Sequence, residues 1–397
     1  MLIRSFKRVP RGVLVLGFVS MLMDASSELV HALLPLFMVT TLGASTFVVG
    51  IIEGFAEGTA MIVKVFSGYV SDVTRRRKPL VLLGYGLGAV SKLAFPLANA
   101  LGWIVAARIV DRIGKGIRGA PRDALIADLT PADSRGASFG LRQALDTVGA
   151  IAGPLLAVGA MAWFAGDFRA AFWIAVIPAV LCVSLIVFGV REPPSPVDVK
   201  DAPLIALADV ARLDRRFVFV TIVAAVLTLA RFSEAFLVLR AQNVGMPLGQ
   251  APWVMVAMTL VYAALAFPAG AWADRGHSQR LIGTGFAALI ASDVVLAQAS
   301  SASGVMIGAG LWGLHLALTQ GLLSALVAAV APVDLRGTAF GVFNLVSGIA
   351  LILASVLAGL LWDVFGPAWT FYAGAAFTLV AWIALLVRRR DLPALAG

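Results

Sequence analysis

Long apolar stretches alternate with short polar connections along the whole chain. The stretches fall near residues 12 to 40, 46 to 71, 79 to 98, 102 to 126, 136 to 162, 168 to 190, 217 to 241, 250 to 273, 279 to 299, 303 to 330, 337 to 362 and 366 to 388. Each approaches or exceeds the roughly 20 residues a helix needs to cross a bilayer. Twelve transmembrane helices are therefore expected, because in hydrocarbon a helix satisfies its own backbone groups and an isolated extended segment does not. One stretch breaks the pattern. Residues 191–216 contain Pro193, Pro194, Pro196 and scattered charges, as a linker in water does. The expected domains are accordingly an N-terminal six-helix bundle over 1–190, the linker over 191–216 and a C-terminal six-helix bundle over 217–397.

Composition excludes a soluble alternative: 60% of the 397 residues are hydrophobic and only 13% charged, a balance no pair of soluble domains shows. The net charge of +9 does not point to nucleic acid, because the basic residues gather in alternate loops. Arg4, Lys7, Arg8 and Arg11 precede the first stretch, Arg75, Arg76, Arg77 and Lys78 follow the second, and Arg388, Arg389 and Arg390 follow the last. By the positive-inside rule both termini and the linker are expected in the cytoplasm, with the chain multi-pass in a bacterial inner membrane. Polar residues Asp24, Ser26, Ser27 and Glu28 interrupt the first stretch, which reads as helix 1 and not as a cleaved leader. The single cysteine, Cys182, excludes an intramolecular disulfide and a cysteine metal cluster.

The two halves repeat. Pro131, Asp133, Arg135, Gly136, Phe139 and Gly140 recur 201 residues later as Pro332, Asp334, Arg336, Gly337, Phe340 and Gly341, and Gly68 and Asp72 recur at an offset of 202 as Gly270 and Asp274. Two separate loops repeating at nearly one offset imply duplication of a six-helix unit. The expected fold is an all-α membrane protein of two pseudo-symmetric six-helix bundles that rock to expose a midplane site alternately to each side.

On these residues the chain resembles the major facilitator superfamily over essentially its whole length. The run from Gly68 through Asp72 to Arg77 and Lys78, and its copy Gly270, Asp274, Arg275, Gly276 and Arg280, are similar to that family's cytoplasmic loop motif. The resemblance implies a gate formed by Gly68, Asp72, Arg77, Asp274 and Arg275, although Val73 stands where the family has Arg, and Arg118 and Arg142, placed by helical rise near the cytoplasmic end, are expected to pair within it. Arg112, Gly116 and Arg118 resemble a helix 4 motif whose Arg is associated with proton coupling. Gly149, Gly153 and Pro154 resemble the glycine-proline motif of the family's antiporters. Within the family, Asp24 to Glu28 and Asp111 to Asp128 look like a prokaryotic subgroup that includes nickel-resistance permeases.

An ionised side chain at the bilayer centre costs about 2.5 to 3.5 kcal/mol on insertion scales, so intramembrane charges need a use or a partner. Asp24, Glu28 and His31 share one face of helix 1, and Glu53, Glu57 and Lys64 one face of helix 2. Helix 4 presents Arg108, Asp111, Arg112, Lys115, Arg118 and Arg122, while helix 3 adds Lys92 and helix 5 adds Arg142 and Asp146. Asp24, Glu28 and Glu57 are the expected proton carriers, with Arg112 as competing partner. Structural neutralisation alone is the competing reading, but buried ion pairs stabilise weakly. His31, Glu53, Asp146, Arg231, Glu234, His315, Gln320 and Asn344 are candidate substrate contacts at the interface of helices 1, 4, 5, 7, 10 and 11. Arg231 and Glu234, three residues apart, are also placed to satisfy each other.

The expected function is secondary active, proton-coupled efflux of a small molecule or ion by a monomer that uses no cofactor. Uptake by proton symport and export of a nickel- or cobalt-type divalent metal are the alternatives. A membrane-embedded enzyme or sensor lacks the nucleophile, metal triad or output domain it needs. ATP drive lacks a Gly-Lys-Ser/Thr loop.

Overall fold

The computed structural model describes residues 10–74, 76–131, 134–192, 210, 212–332 and 335–388; the side chains of Asp274, of residues 321–325 and of Arg336 lie outside that description. Most of the 191–216 linker and the repeat positions Asp133 and Asp334 also lie outside the described residues.

The described chain is helical. Its elements are α1 (Arg11–Thr40), α2 (Thr46–Thr74), α3 (Arg77–Leu97), α4 (Leu101–Leu129), α5 (Arg135–Trp163), α6 (Phe168–Gly189), α7 (Arg215–Ala230), α8 (Ala235–Asn243), α9 (Trp253–Trp272), α10 (Ser278–Gln298), α11 (Ala302–Val330), α12 (Arg336–Phe365) and α13 (Pro367–Val387). Among the described residues, eleven candidate spans are long and apolar enough to cross a membrane, α7 and α8 counting together. The remaining long helix is α4, whose many charges lower its hydropathy.

The seventh stretch differs from the continuous helix expected over 217–241. It is broken at Arg231–Glu234. The interruption is possible in an apolar setting because other groups take over the freed backbone. The Arg231 N–H turns back to the Thr228 carbonyl at 3.0 Å, and the Ser233 N–H donates to Ser355 Oγ of α12 at 3.1 Å. Between α9 and α10 the chain makes a wide turn over Ala273–His277, where Gly276 adopts φ +82°. A side chain there would be strained, which explains the glycine after Asp274 and Arg275.

The contacts divide the chain into two compact units: Met1–Phe37 with Thr59–Leu204, and Met38–Gly58 with Ile205–Gly397. In the first unit, a core of Val19, Met23, Val81, Tyr85, Cys182 and Ile186 joins α1, α3 and α6. Glycines bring the charged helices close. A Cβ on Gly84 of α3 would lie 2.7 Å from the Arg118 nitrogen of α4, and one on Gly153 of α5 would lie 2.8 Å from the Ala25 carbonyl of α1. The four-residue spacings Gly84/Gly88 and Gly149/Gly153 thus act as small-residue packing seams.

In the second unit the first part of α2 packs on α12 by the same device. A Cβ on Gly54 would meet the Ile352 carbonyl at 3.0 Å, one on Gly58 the Gly348 carbonyl at 2.9 Å, and one on Gly359 the Phe47 Cα at 2.7 Å. The Phe47 N–H donates to Asp363 Oδ2 at 3.0 Å, closing that seam at its end. An aromatic cluster of Phe232, Phe236, Trp312, Trp362 and Phe371 fills the space around the α7–α8 break.

Candidate functional site

In the first unit α1 carries the acids and α5 makes room for them. A Cβ on Gly149 would lie 3.1 Å from the Asp24 Cβ, and one on Gly153 would overlap the Glu28 Cβ. Glu28 Oε2 lies 3.4 Å from His31 Nδ1, one helical turn along. Asp24 is half-buried on the same face and, among the described residues, makes no side-chain hydrogen bond or ion pair. One unbonded acid and one acid–imidazole pair therefore share a helix face against which α5 sets Gly149 and Gly153.

Deeper in the unit, Asp111 of α4 gathers three cations. Lys92 Nζ lies 2.6 Å from Asp111 Oδ1, Arg112 Nε 3.7 Å and Arg108 3.9 Å from Oδ2. All four side chains are buried. Arg112, expected to compete for the α1 and α2 acids, stands directly beside its chain neighbour Asp111. A third group joins α4 to α5. Arg142 lies 2.9 Å from Asp146 and 3.6 Å from Asp123, and Arg122 reaches Asp123 at 3.0 Å and Ser20 Oγ at 2.9 Å. Ser20 in turn meets the Tyr85 hydroxyl at 2.9 Å, and the Arg118 guanidinium stacks 4.7 Å from the Tyr85 ring. Asp146, read from sequence as a substrate contact, and Arg142, read as a gate residue, are thus each other's partners across one helical turn.

Within the first unit the gate residues have different partners. Asp72 is exposed and makes no ion pair among the described residues. Arg77 instead bonds Asp128 at 2.8 Å, and its backbone N–H caps on the Glu192 carboxylate, which also accepts from the Lys78 N–H at 3.2 Å. Gly68 faces Ala120 with room for a Cβ at 3.5 Å. Arg275 is exposed, and the side chain of Asp274 lies outside the described residues.

In the second unit Arg231 turns away from Glu234. Its Nε donates to His315 Nε2 at 2.8 Å and its Nη2 to Thr319 Oγ1. His315 Nδ1 faces the Gly285 carbonyl at 2.8 Å. A guanidinium only donates, so His315 Nε2 accepts and Nδ1 carries the hydrogen, which fixes a neutral imidazole. Both ring nitrogens are then occupied, which leaves no lone pair for a metal. Among the described residues, Arg231 is a partly exposed cation held by neutral acceptors alone. Glu53 is buried and Glu57 and Glu234 are half-buried. Gln320 is exposed and Asn344 half-buried; neither forms a side-chain bond among the described residues.

Two groups escaped the sequence reading. Arg240 of α8 donates to the Leu296, Ala297 and Ala299 carbonyls at 2.9, 3.1 and 2.7 Å, closing the end of α10. Asp293 of α10 is fully buried, with neither carboxyl oxygen bonded among the described residues. The repeat itself marks the second, because Asp293 stands 201 residues after Lys92, and Gly84 and Ser91 recur as Gly285 and Ser292 at the same offset.

The Major Facilitator Superfamily profile matches residues 16–240 and again 217–396. An uncharacterized MFS-type transporter of Methanocaldococcus jannaschii is 30% identical over 386 residues, which span 96% of this chain and 95% of that protein. An uncharacterized protein of Mycobacterium bovis is 27% identical over 89% of this chain and 87% of its own. Among solved structures, the nucleoside transporter NupG superposes with a TM-score of 0.81 at 13% identity, covering 94% of this chain and 99% of that one. A bacterial homolog of the human lysosomal transporter Spinster superposes at 0.72 and 16% identity, covering 96% and 98%.

Proposed function

This chain belongs to the major facilitator superfamily and is a multi-pass membrane transporter rather than an enzyme, and from that premise we propose that it exchanges protons for a small solute bearing an anionic group, working outward. The α1 face carries this reading: Asp24 without a bonded partner beside the Glu28–His31 pair, against the glycines of α5. An acid with no fixed counter-ion in a membrane is inexpensive to protonate and costly to leave ionised, so a change in its surroundings moves its proton. The Glu28–His31 contact offers a second acceptor one turn away, and Glu57 on α2 is a further carrier.

Antiport is supported by the resemblance of Gly149, Gly153 and Pro154 to the family's antiporter motif, and by the close seat those glycines give α1. An anionic solute is supported by Arg231. Its guanidinium is partly exposed and held by neutral His315 and Thr319, so a carboxylate or phosphate would supply the missing counter-charge in bidentate form. A divalent metal is less well supported. Among the described residues no group of three or more His, Cys, Asp or Glu is arranged to hold one, and His315 has no free lone pair. The membrane is proposed to be a bacterial inner membrane with both termini cytoplasmic, a reading the loop charges support, and the working unit a monomer.

The test is proton movement by purified protein in proteoliposomes under an imposed pH gradient, with anionic metabolites, organic cations, nickel and cobalt offered in turn. Proton flux driven by an anionic solute, abolished in Glu28→Gln and in Asp24→Asn, is the expected result. Solute flux without proton movement would sink the coupling, and flux confined to nickel or cobalt would sink the anionic solute.

A further inference from the structure

Superposing the halves by their 201-residue repeat places Lys92 and Asp293 at equivalent positions, and likewise Asp111 and Trp312. In the first half the pair is ionic and complete, with Lys92 Nζ 2.6 Å from Asp111. In the second half the equivalent positions hold an acid and a tryptophan. Asp293 is 0% exposed and, among the described residues, both its oxygens lack a hydrogen-bond partner. Even so, the fold keeps a slot for it. A Cβ on Gly374 of α13 would lie 2.6 Å from Asp293 Oδ2 and 3.2 Å from the edge of the Phe232 ring.

The charged groups on the neighbouring elements are engaged elsewhere or remote in sequence register. On α11, His315 bonds Gly285, eight residues before Asp293, and Arg231 at the α7–α8 break bonds His315. Glu234 lies at the same break. Arg240 of α8 is spent on the three carbonyls ending α10. The sequence of α13 contains no charged residue. Arg280 on α10 and Arg275 and His277 in the turn before it are exposed at the far end of that helix, with Asp274 beside them.

An ionised carboxylate buried without a cation or donor costs far more than a neutral carboxyl in the same place. A carboxyl kept only for structure would give its O–H to a carbonyl, as Thr370 and Thr378 do on the facing helix. Among the described residues Asp293 has neither, and the Phe232 ring, carried on four residues between two helices, lies beside it at the Gly374 slot. We propose that Asp293 is a proton-binding site of the second unit, holding a proton in this arrangement and releasing it when the α7–α8 break moves Phe232 off the Gly374 slot. In the release the carboxyl O–H bond breaks, the proton passes to a water that enters as the ring leaves, and the electron pair stays on the carboxylate. The site stands apart from the α1 acids and does not depend on their role.

Infrared difference spectroscopy of the purified protein in lipid, in light and heavy water, tests this directly. At neutral pH the carbonyl band of a protonated carboxylic acid is expected, shifting in heavy water and lost in Asp293→Asn. Asp293→Glu is expected to keep such a band at a displaced position, and ¹³C-aspartate labelling of the unmutated protein identifies the aspartate band should Asp293→Asn fail to fold. Phe232→Ala is expected to speed its hydrogen exchange several-fold. No aspartate carboxylic-acid band attributable to Asp293 would show the group ionised and overturn the proposal. A band that never exchanges would make the proton permanent and overturn it as well, and exchange unaffected by Phe232→Ala would remove Phe232 from the release step. None of these readings requires the solute or the behaviour of Glu28→Gln, so each proposal stands or falls separately.

Discussion

Asp111 and Arg231 solve the problem of a charge in a low-dielectric interior in opposite ways. Asp111 is one carboxylate shared by Lys92, Arg108 and Arg112, with its nearest contact at 2.6 Å. Removing a partner from a buried pair costs about 3–5 kcal/mol, because the remaining charge stays buried. Asp111→Asn is therefore expected to lower stability by that order, read as loss of folded protein in a denaturant titration in detergent. Lys92→Met is expected to cost less, since two cations still face the carboxylate. Arg231 instead relies on the His315 imidazole and the Thr319 hydroxyl. The fork of a guanidinium reaches two acceptors at once and a lysine ammonium does not reproduce it. Arg231→Lys is accordingly expected to weaken solute-driven flux in proteoliposomes while leaving the protein folded, with the loss appearing in the solute concentration needed for half-maximal rate.

At the scale of the helix, the seams depend on absent side chains. A Cβ on Gly50 would collide with the Ser355 carbonyl of α12, whereas one on Gly86 meets nothing within 4 Å. Overpacking typically costs about 1–3 kcal/mol, and Gly to Ala in an open helix position gains about 0.5–1 kcal/mol. Gly50→Ala should therefore lower the melting temperature of the purified protein and Gly86→Ala should hold or raise it; equal shifts in the two would contradict the seam. The α7–α8 break depends on the converse device, a hydroxyl that replaces a lost helix bond. Ser355→Ala strands the Ser233 N–H, which is buried, and is expected to cost about 1–3 kcal/mol. The apolar run over 217–241 gave no sign of this break, since hydropathy averages over a window and the compensating Ser355 lies more than a hundred residues away. Gly84, Gly88, Gly149 and Gly153, by contrast, were legible from spacing alone.

For the molecule as a whole, the lone thiol gives a direct probe of the first unit. Cys182 is fully buried among Val19, Tyr85 and Ile186, so a maleimide is expected to leave it unmodified in the native protein and to label it stoichiometrically once denatured; labelling of the native form would contradict the α1–α3–α6 core. The sequence by itself determined that the chain lives in a membrane, how many apolar stretches it has, and that its halves are copies, because span length, loop charge and a fixed repeat offset are local or additive properties of the chain. It also determined which intramembrane residues carry charge, apart from Asp293 and Arg240, although the repeat already pointed from Lys92 to the former. Only the tertiary structure decided partnership. Asp146 went to Arg142 and Arg77 to Asp128, Asp24 was left unbonded, and Arg231 turned from Glu234 to His315. Electrostatic pairing depends on distances of a few ångströms between helices far apart in sequence, and no pattern along one chain specifies those distances.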